Sequence, residues 1–289
     1  MNKETRSAIT SIVFLCCIYL LSFLGSNITS TIFSINSFIF LLILSVLIQI
    51  IFFVPSFILK TEKLYDLIGS STYIVVITFA YFSLSDKTIT DTILFLFVLV
   101  WGIRLGTYLF KRISRDKEDV RFEKAKKKFF WFLQYWMGQA LWVSITSCAA
   151  VISILQNEND YLNIYVIIGV LIWIIGFSIE VISDFQKSKF KKTENTTKTF
   201  ISNGLWSKSR HPNYFGEITL WVGIYVISFS SFSDIEYLTL ISPLFVYILL
   251  TRMSGVNMLE KIADERYGHL SEYVEYKKNT PVLFLKIWK

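Results

Sequence analysis

"SFIFLLILSVLIQIIFFVPSFIL" runs from Ser37 to Leu59 without a single charged side chain. A bilayer core of roughly 30 Å asks for about 20 helical residues, so this stretch is long and apolar enough to cross it. Pro55, near its end, is expected to kink or stop the helix because it lacks an amide hydrogen. Working outward, the runs at about 8–25, 71–84, 92–112, 130–155, 163–186, 214–232 and 236–255 also qualify, the 71–84 run being short. Of 289 residues, 53% are hydrophobic and 17% aromatic, more than one soluble core of this size would need. The expected fold is therefore all-α: a polytopic integral membrane helical bundle of about eight spans, within a range of seven to ten. The stretch from Met1 to Arg6 is basic, but the apolar run after it has no convincing small-residue cleavage site, so it reads as a span rather than a cleaved signal.

The net charge of +7 is first of all a topology signal. Basic residues crowd the 111–128 and 187–210 connections and the C-terminal tail and thin out in the alternate connections, which places both termini in the cytoplasm of a cell whose inner or plasma membrane holds the chain. They are interleaved with Asp116, Glu118, Asp119, Glu123 and Glu194, which a plain patch for anionic membrane lipids explains only in part. Nucleic acid is not an expected partner, and a polyphosphate ligand on the same side is. No internal repeat or low-complexity tract divides the chain, so residues 1–289 read as one membrane domain. Within it, 253–289 alternates acids, bases and apolar residues at helical spacing, as a cytosolic amphipathic helix or pair would. Cys16, Cys17 and Cys148 fall inside apolar runs and read as packing residues. With two histidines and no Cys/His ligand spacing, no metal is expected.

Ionisable groups inside spans cost a few kcal/mol or more on insertion scales, so each is a functional-site hypothesis. Three sets form patterns. Arg104, Tyr108 and Arg112 in "WGIRLGTYLFKR" are four residues apart and share a helix face. Glu180, Asp184 and Lys187 in "GFSIEVISDFQKSKF" do the same. In "SRHPNYFGE", Pro212 suits a first helical turn, leaving Arg210 and His211 in the loop with Asn213 and Glu217 one turn apart. Taken singly, Arg112 could snorkel to the headgroups, and the two acids could only neutralise the arginines as buried pairs. Together the three faces describe a polar cavity open to the cytoplasm. In it Arg and Lys could hold phosphates, and carboxylates and an amide could bind ribose hydroxyls or a carboxamide, while an apolar side admits a lipid.

"GLWSKSRHPNYFGE", with "EVISDFQKSKF", "WGIRLGTYLFKRISRDKEDVRF" and "TEKLYDLIGSSTY", resembles the DUF1295 family, the bacterial branch of the steroid 5-alpha-reductase-like membrane proteins, from roughly residue 60 to the C-terminus. The resemblance implies a membrane reductase that takes a hydride from NADPH and delivers it to an activated C=C bond, typically an enone, of a steroid, isoprenoid or other lipid. It implies a cofactor site of Arg104, Tyr108, Arg112, Glu180, Asp184, Lys187, Arg210, His211, Asn213, Tyr214 and Glu217. Glu180 stands where the steroid enzymes often carry Asn. Those enzymes use a Glu and a Tyr near the substrate carbonyl, whereas "FFVPSF" offers Phe53 where that Glu would fall. Carbonyl polarisation then passes to Tyr65, Asp66, Tyr73 or Tyr81, or the substrate is not a 3-keto steroid. The surplus of basic residues favours NADPH over NADH.

Two other classes of function stay open. An S-adenosylmethionine-dependent lipid or isoprenylcysteine methyltransferase shares the Arg-His-Pro loop but usually lacks an acid at the place of Glu217. A non-enzymatic lipid-binding membrane protein would keep the cavity without the chemistry. Transport ranks last, since no inverted repeat or matched pair of broken helices is present.

Overall fold

The computed structural model describes residues 1–116, 122–157, 162–193, 199–253 and 255–286; Glu118, Asp119 and Glu194 lie outside the described residues. The fold is the expected all-α polytopic membrane bundle. Among the described residues seven helical stretches are long and apolar enough to span a membrane, one fewer than the eight runs read from the sequence. The missing one is the 214–232 run: its helix, α7 (Pro212–Ser228), has 17 residues before it tightens into a 3-10 turn at Phe229–Ser231. The chain gathers into two compact units, one of Met1–Val166 with Ser228–Ser242, the other of Ile167–Ile227 with Pro243–Lys289.

The first unit contains α1 (Lys3–Leu21), α2 (Ser37–Ile58), α3 (Tyr65–Phe82), α4 (Ile89–Asp116) and α5 (Phe129–Gln156). Their ends are written locally. Asn36 accepts from the amides of Phe38 and Ile39 to cap α2, and Thr88 and Asp91 exchange backbone-to-side-chain hydrogen bonds of 3.0 and 3.1 Å in a capping box before α4. Pro55 sits in the last turn of α2, which stops three residues later at Ile58, as a missing donor near a helix end allows. α3 begins at Tyr65 rather than near residue 71 because its polar first turn finds tertiary partners: Tyr65 Oη donates to the Tyr135 carbonyl at 3.0 Å, and Asp66 accepts from Arg112 at 3.1 Å.

α5 is the centre of this unit: 89% of its apolar window is buried, against 28–47% for the other spans, so it is enclosed on nearly every side. Around its first half Phe53, Tyr65, Phe122, Phe132 and Trp136 form one buried aromatic cluster. Phe53 is 2% exposed there, packed on Phe57, Phe129 and Phe132. The segment 228–242 joins this unit through Ser153–Ser231 (2.9 Å), Ser242 to the Thr146 carbonyl (2.6 Å) and Asn27 to the fully buried Glu236 (2.8 Å). Cys148 is buried in α5, while Cys16 faces outward from α1.

The second unit is built on α6 (Ile164–Thr193, from Ile167 on) and α7, followed by α8 (Ile241–Ile248, from Pro243 on), a π turn at Leu249–Met253, α9 (Val256–Tyr267) and α10 (Ser271–Asn279). The last two lie in the tail, where an amphipathic helix or pair was expected.

Candidate functional site

The geometry that organises the second unit is a pair of glycine contacts. Gly169 and Gly176 on α6 are seven residues apart, as are Gly216 and Gly223 on α7, so each pair lies on one helix face. A Cβ on Gly216 would come within 2.6 Å of both the Glu180 nitrogen and the Gly176 carbonyl, and one on Gly223 within 2.7 Å of the Trp173 nitrogen. With no side chain between them the two backbones touch, the arrangement small residues favour in lipid. These glycines were not among the residues expected to matter, although their spacing is legible in the sequence.

This approach brings the polar faces of α6 and α7 together. Asn213 Nδ2 donates to Asp184 Oδ1 at 3.2 Å. Glu180, Asp184 and Glu217 are 2%, 4% and 8% exposed, so three carboxyl groups and one amide are collected at a buried helix–helix seam. Lys187, one turn beyond Asp184, lies over the Trp206 ring at 4.9 Å. The ring is fixed by its own Nε1, which donates to the Ser183 carbonyl at 3.1 Å. Gly204 turns the loop with a positive φ of 60°, and Leu205 N donates to Gln186 Oε1 at 3.0 Å.

Arg210 and His211, expected among the cofactor contacts, hold the tail in this structure. Arg210 Nη2 meets Glu260 Oε2 on α9 at 2.9 Å, its Nε donates to Oε1 at 3.2 Å, and Nη1 donates to the carbonyls of Lys277 (2.6 Å) and Thr280 (3.1 Å). His211 Nε2 donates to Glu260 Oε1 at 2.9 Å. Backbone pairing completes the clasp: Arg210 N to the Pro281 carbonyl, Lys286 N to the Lys208 carbonyl, Ser209 Oγ to the Leu283 carbonyl and Tyr276 Oη to the Trp206 carbonyl, all between 2.6 and 2.9 Å. Tyr214 stacks on His211 at 5.6 Å between ring centroids and packs against Gly255. Glu260 does not stand out in the sequence because the tail carries several acids at similar spacing.

His211 lies before α7, outside the spans. Burial pushes its pKa below the ordinary 6.5, outweighing the Glu260 hydrogen bond and charge that favour protonation; Lys187 and Arg210 add to the lowering. The imidazole is neutral at pH 7, so its contact with Glu260 is a hydrogen bond rather than an ion pair. As the unfolded chain binds the proton more readily, this contribution to stability is complete above pH 6.5 and is lost as pH falls through the lower folded value. The expected result is a thermal midpoint that drops more on acidification below pH 6.5 in the wild type than in His211→Gln, measured in the same detergent.

The remaining sequence candidates belong to the first unit. Arg104 stacks on Tyr108 at 5.4 Å on α4, and half-buried Arg112 is paired with Asp66. Tyr73 is 5% exposed with its ring edge-on to Trp101 at 5.0 Å, and Tyr81 Oη shares a 3.0 Å hydrogen bond with Thr92.

The model of one family, described as a protein of unknown function (DUF1295), matches residues 52–280. No curated protein and no solved structure matches the chain.

Proposed function

The chain belongs to the DUF1295 family, and from the seam between α6 and α7 we propose that it is an NADPH-dependent membrane reductase acting on an activated C=C bond of a steroid, isoprenoid or other lipid. The observation that carries this reading is the Asp184–Asn213 hydrogen bond beside buried Glu180 and Glu217. Acids so buried in a membrane-spanning bundle are each a functional-site hypothesis.

The donor set fits the nucleoside half of a nicotinamide dinucleotide. Carboxylates accept hydrogen bonds from ribose hydroxyls, and an amide both donates to and accepts from a carboxamide. Asp184, Glu180 and Glu217 would take the hydroxyls and Asn213 the carboxamide, while Lys187 adds a cation on the same face for a phosphate. Arg210 is not assigned to the phosphates, because its guanidinium is spent on Glu260 and the tail carbonyls. When bound, NADPH supplies the hydride for the β-carbon of an enone. One proton must then reach the α-carbon to balance the hydride, and polarisation of the substrate carbonyl would fall to Tyr65, Asp66, Tyr73 or Tyr81. Cofactor binding at the α6–α7 seam is independent of which of the four polarises it.

Thermal-shift titration of the detergent-purified protein with NADPH, NADH and S-adenosylmethionine tests the proposal. A ligand at a hundred times its Kd adds about 2.7 kcal/mol to apparent stability. NADPH is expected to raise the midpoint most, and Glu217→Gln to weaken its binding at least about tenfold, or about 1.4 kcal/mol, without lowering the apo midpoint appreciably. Stabilisation by S-adenosylmethionine alone, or NADPH affinity unchanged in both Glu217→Gln and Asp184→Asn, would overturn it.

A further inference from the structure

We propose that the cleft between the first turns of α1 and α5 binds the phosphate headgroup of an anionic phospholipid. The cleft has a volume of about 530 Å³ and is lined by Met1, Lys3, Arg6, Ser7, Thr10, Trp131 and Gln134. Two of these side chains are cationic, three are neutral hydrogen-bonding groups, and no acid lines it. Glu4, the acid of this turn, does not line it: its Oε2 accepts from the Phe130 amide at 3.1 Å at the start of α5, and its Oε1 is buried without a hydrogen bond to the described residues. Lys3 Nζ is held 2.9 Å from the centroid of the Trp131 ring, which fixes one cation at the rim. Just below, Phe14 packs on Gly138 and joins α1 to α5.

What separates a lipid from a soluble phosphate is the surface that continues from the cleft. Arg6, Ile9 and Val13 are three and four residues apart and so form one stripe of α1. Ile9, Ile12 and Val13 are 47%, 60% and 49% exposed, an apolar face that begins one turn beyond the cations. A headgroup between Lys3 and Arg6 would lay its acyl chains along that face, with Trp131 at the depth where interfacial tryptophans sit. The lipid site involves neither the hydride chemistry nor the second unit.

Native mass spectrometry of the detergent-purified full chain tests it, with phosphatidylglycerol, phosphatidylcholine and glycerol 3-phosphate as probes. Phosphatidylglycerol is expected to bind, phosphatidylcholine at least about tenfold more weakly, and glycerol 3-phosphate not at the same concentration. The double change Lys3→Gln/Arg6→Gln should weaken phosphatidylglycerol by roughly thirtyfold, the effect of two surface cations on an anionic lipid. Lys63→Gln, an exposed cation in the turn before α3, should leave binding as it was. Both altered cations of the cleft are exposed, so the double variant is expected to lose only the Lys3–Trp131 contact and to remain folded. Equal binding of the two lipids, no loss in the double variant, an equal loss in Lys63→Gln, or glycerol 3-phosphate binding as tightly as the lipid would each overturn the proposal.

Discussion

Gly216→Ala is expected to destroy the second unit as a folded body. The new side chain would begin 2.6 Å from the Glu180 nitrogen and from the Gly176 carbonyl, and both are backbone atoms of α6 that no rotamer change can move aside. Overpacking a core costs about 1–3 kcal/mol where neighbours can shift, and here two helices must part along their length, so about 3 kcal/mol or more is expected. Parting them also separates Asn213 from Asp184 and leaves buried carboxyl groups without the amide. The measurement is the thermal midpoint and the monodisperse yield in detergent. Gly138→Ala is the matched control, because its Cβ would meet only the movable Phe14 ring at 3.2 Å. That change is expected to cost under about 1 kcal/mol, part of it returned by the better helix propensity of alanine. Equal behaviour of the two variants would show that the glycine contact does not hold α6 to α7.

Glu260→Ala should have the second largest effect. Its carboxylate accepts from Arg210 and His211 and lies 3.7 Å from Lys277 Nζ, so its removal strands a guanidinium whose side chain is only 11% exposed. Breaking a buried pair from one side costs about 3–5 kcal/mol. The lower end is expected, since Arg210 keeps the carbonyls of Lys277 and Thr280. Glu260→Gln retains an acceptor and should fall between alanine and wild type. Limited proteolysis gives a second readout: cleavage after Lys277 or Lys278 should accelerate in the alanine variant as the tail leaves the 206–210 loop. A midpoint change under about 0.5 kcal/mol with unchanged proteolysis would mean the clasp contributes nothing.

Most of the helices were legible because a bilayer imposes a length and a polarity on each segment by itself. The run at 37–59, with Pro55 in its last turn, needed no knowledge of its neighbours, and the same holds for Pro212 opening α7 and for the one-sided placement of Glu180, Asp184 and Lys187. The start of α3 was misjudged by several residues for the opposite reason. Tyr65 and Asp66 are polar, and only their partners Tyr135 and Arg112, 70 and 46 residues away, make that turn part of the buried helix.

The candidate site divides along the same line. Asn213 and Glu217 lie one turn apart on any helix that starts at Pro212, so the sequence alone placed them on one face. Whether that face meets Asp184 depended on Gly176 and Gly216 letting two backbones touch, a property of the pair of helices and of neither one separately. Arg210 and His211 show the limit most clearly. Their local pattern is that of ligand-binding residues, and their actual partner, Glu260, is 50 and 49 residues on. The sequence by itself determined the all-α membrane fold, nearly all its spans and the polar face of each helix, because those follow from periodicity within a turn or two. The tertiary structure alone decided which faces meet and which acid satisfies Arg210, because the tail's acids share similar spacing and only the path of the chain brings one of them to the guanidinium.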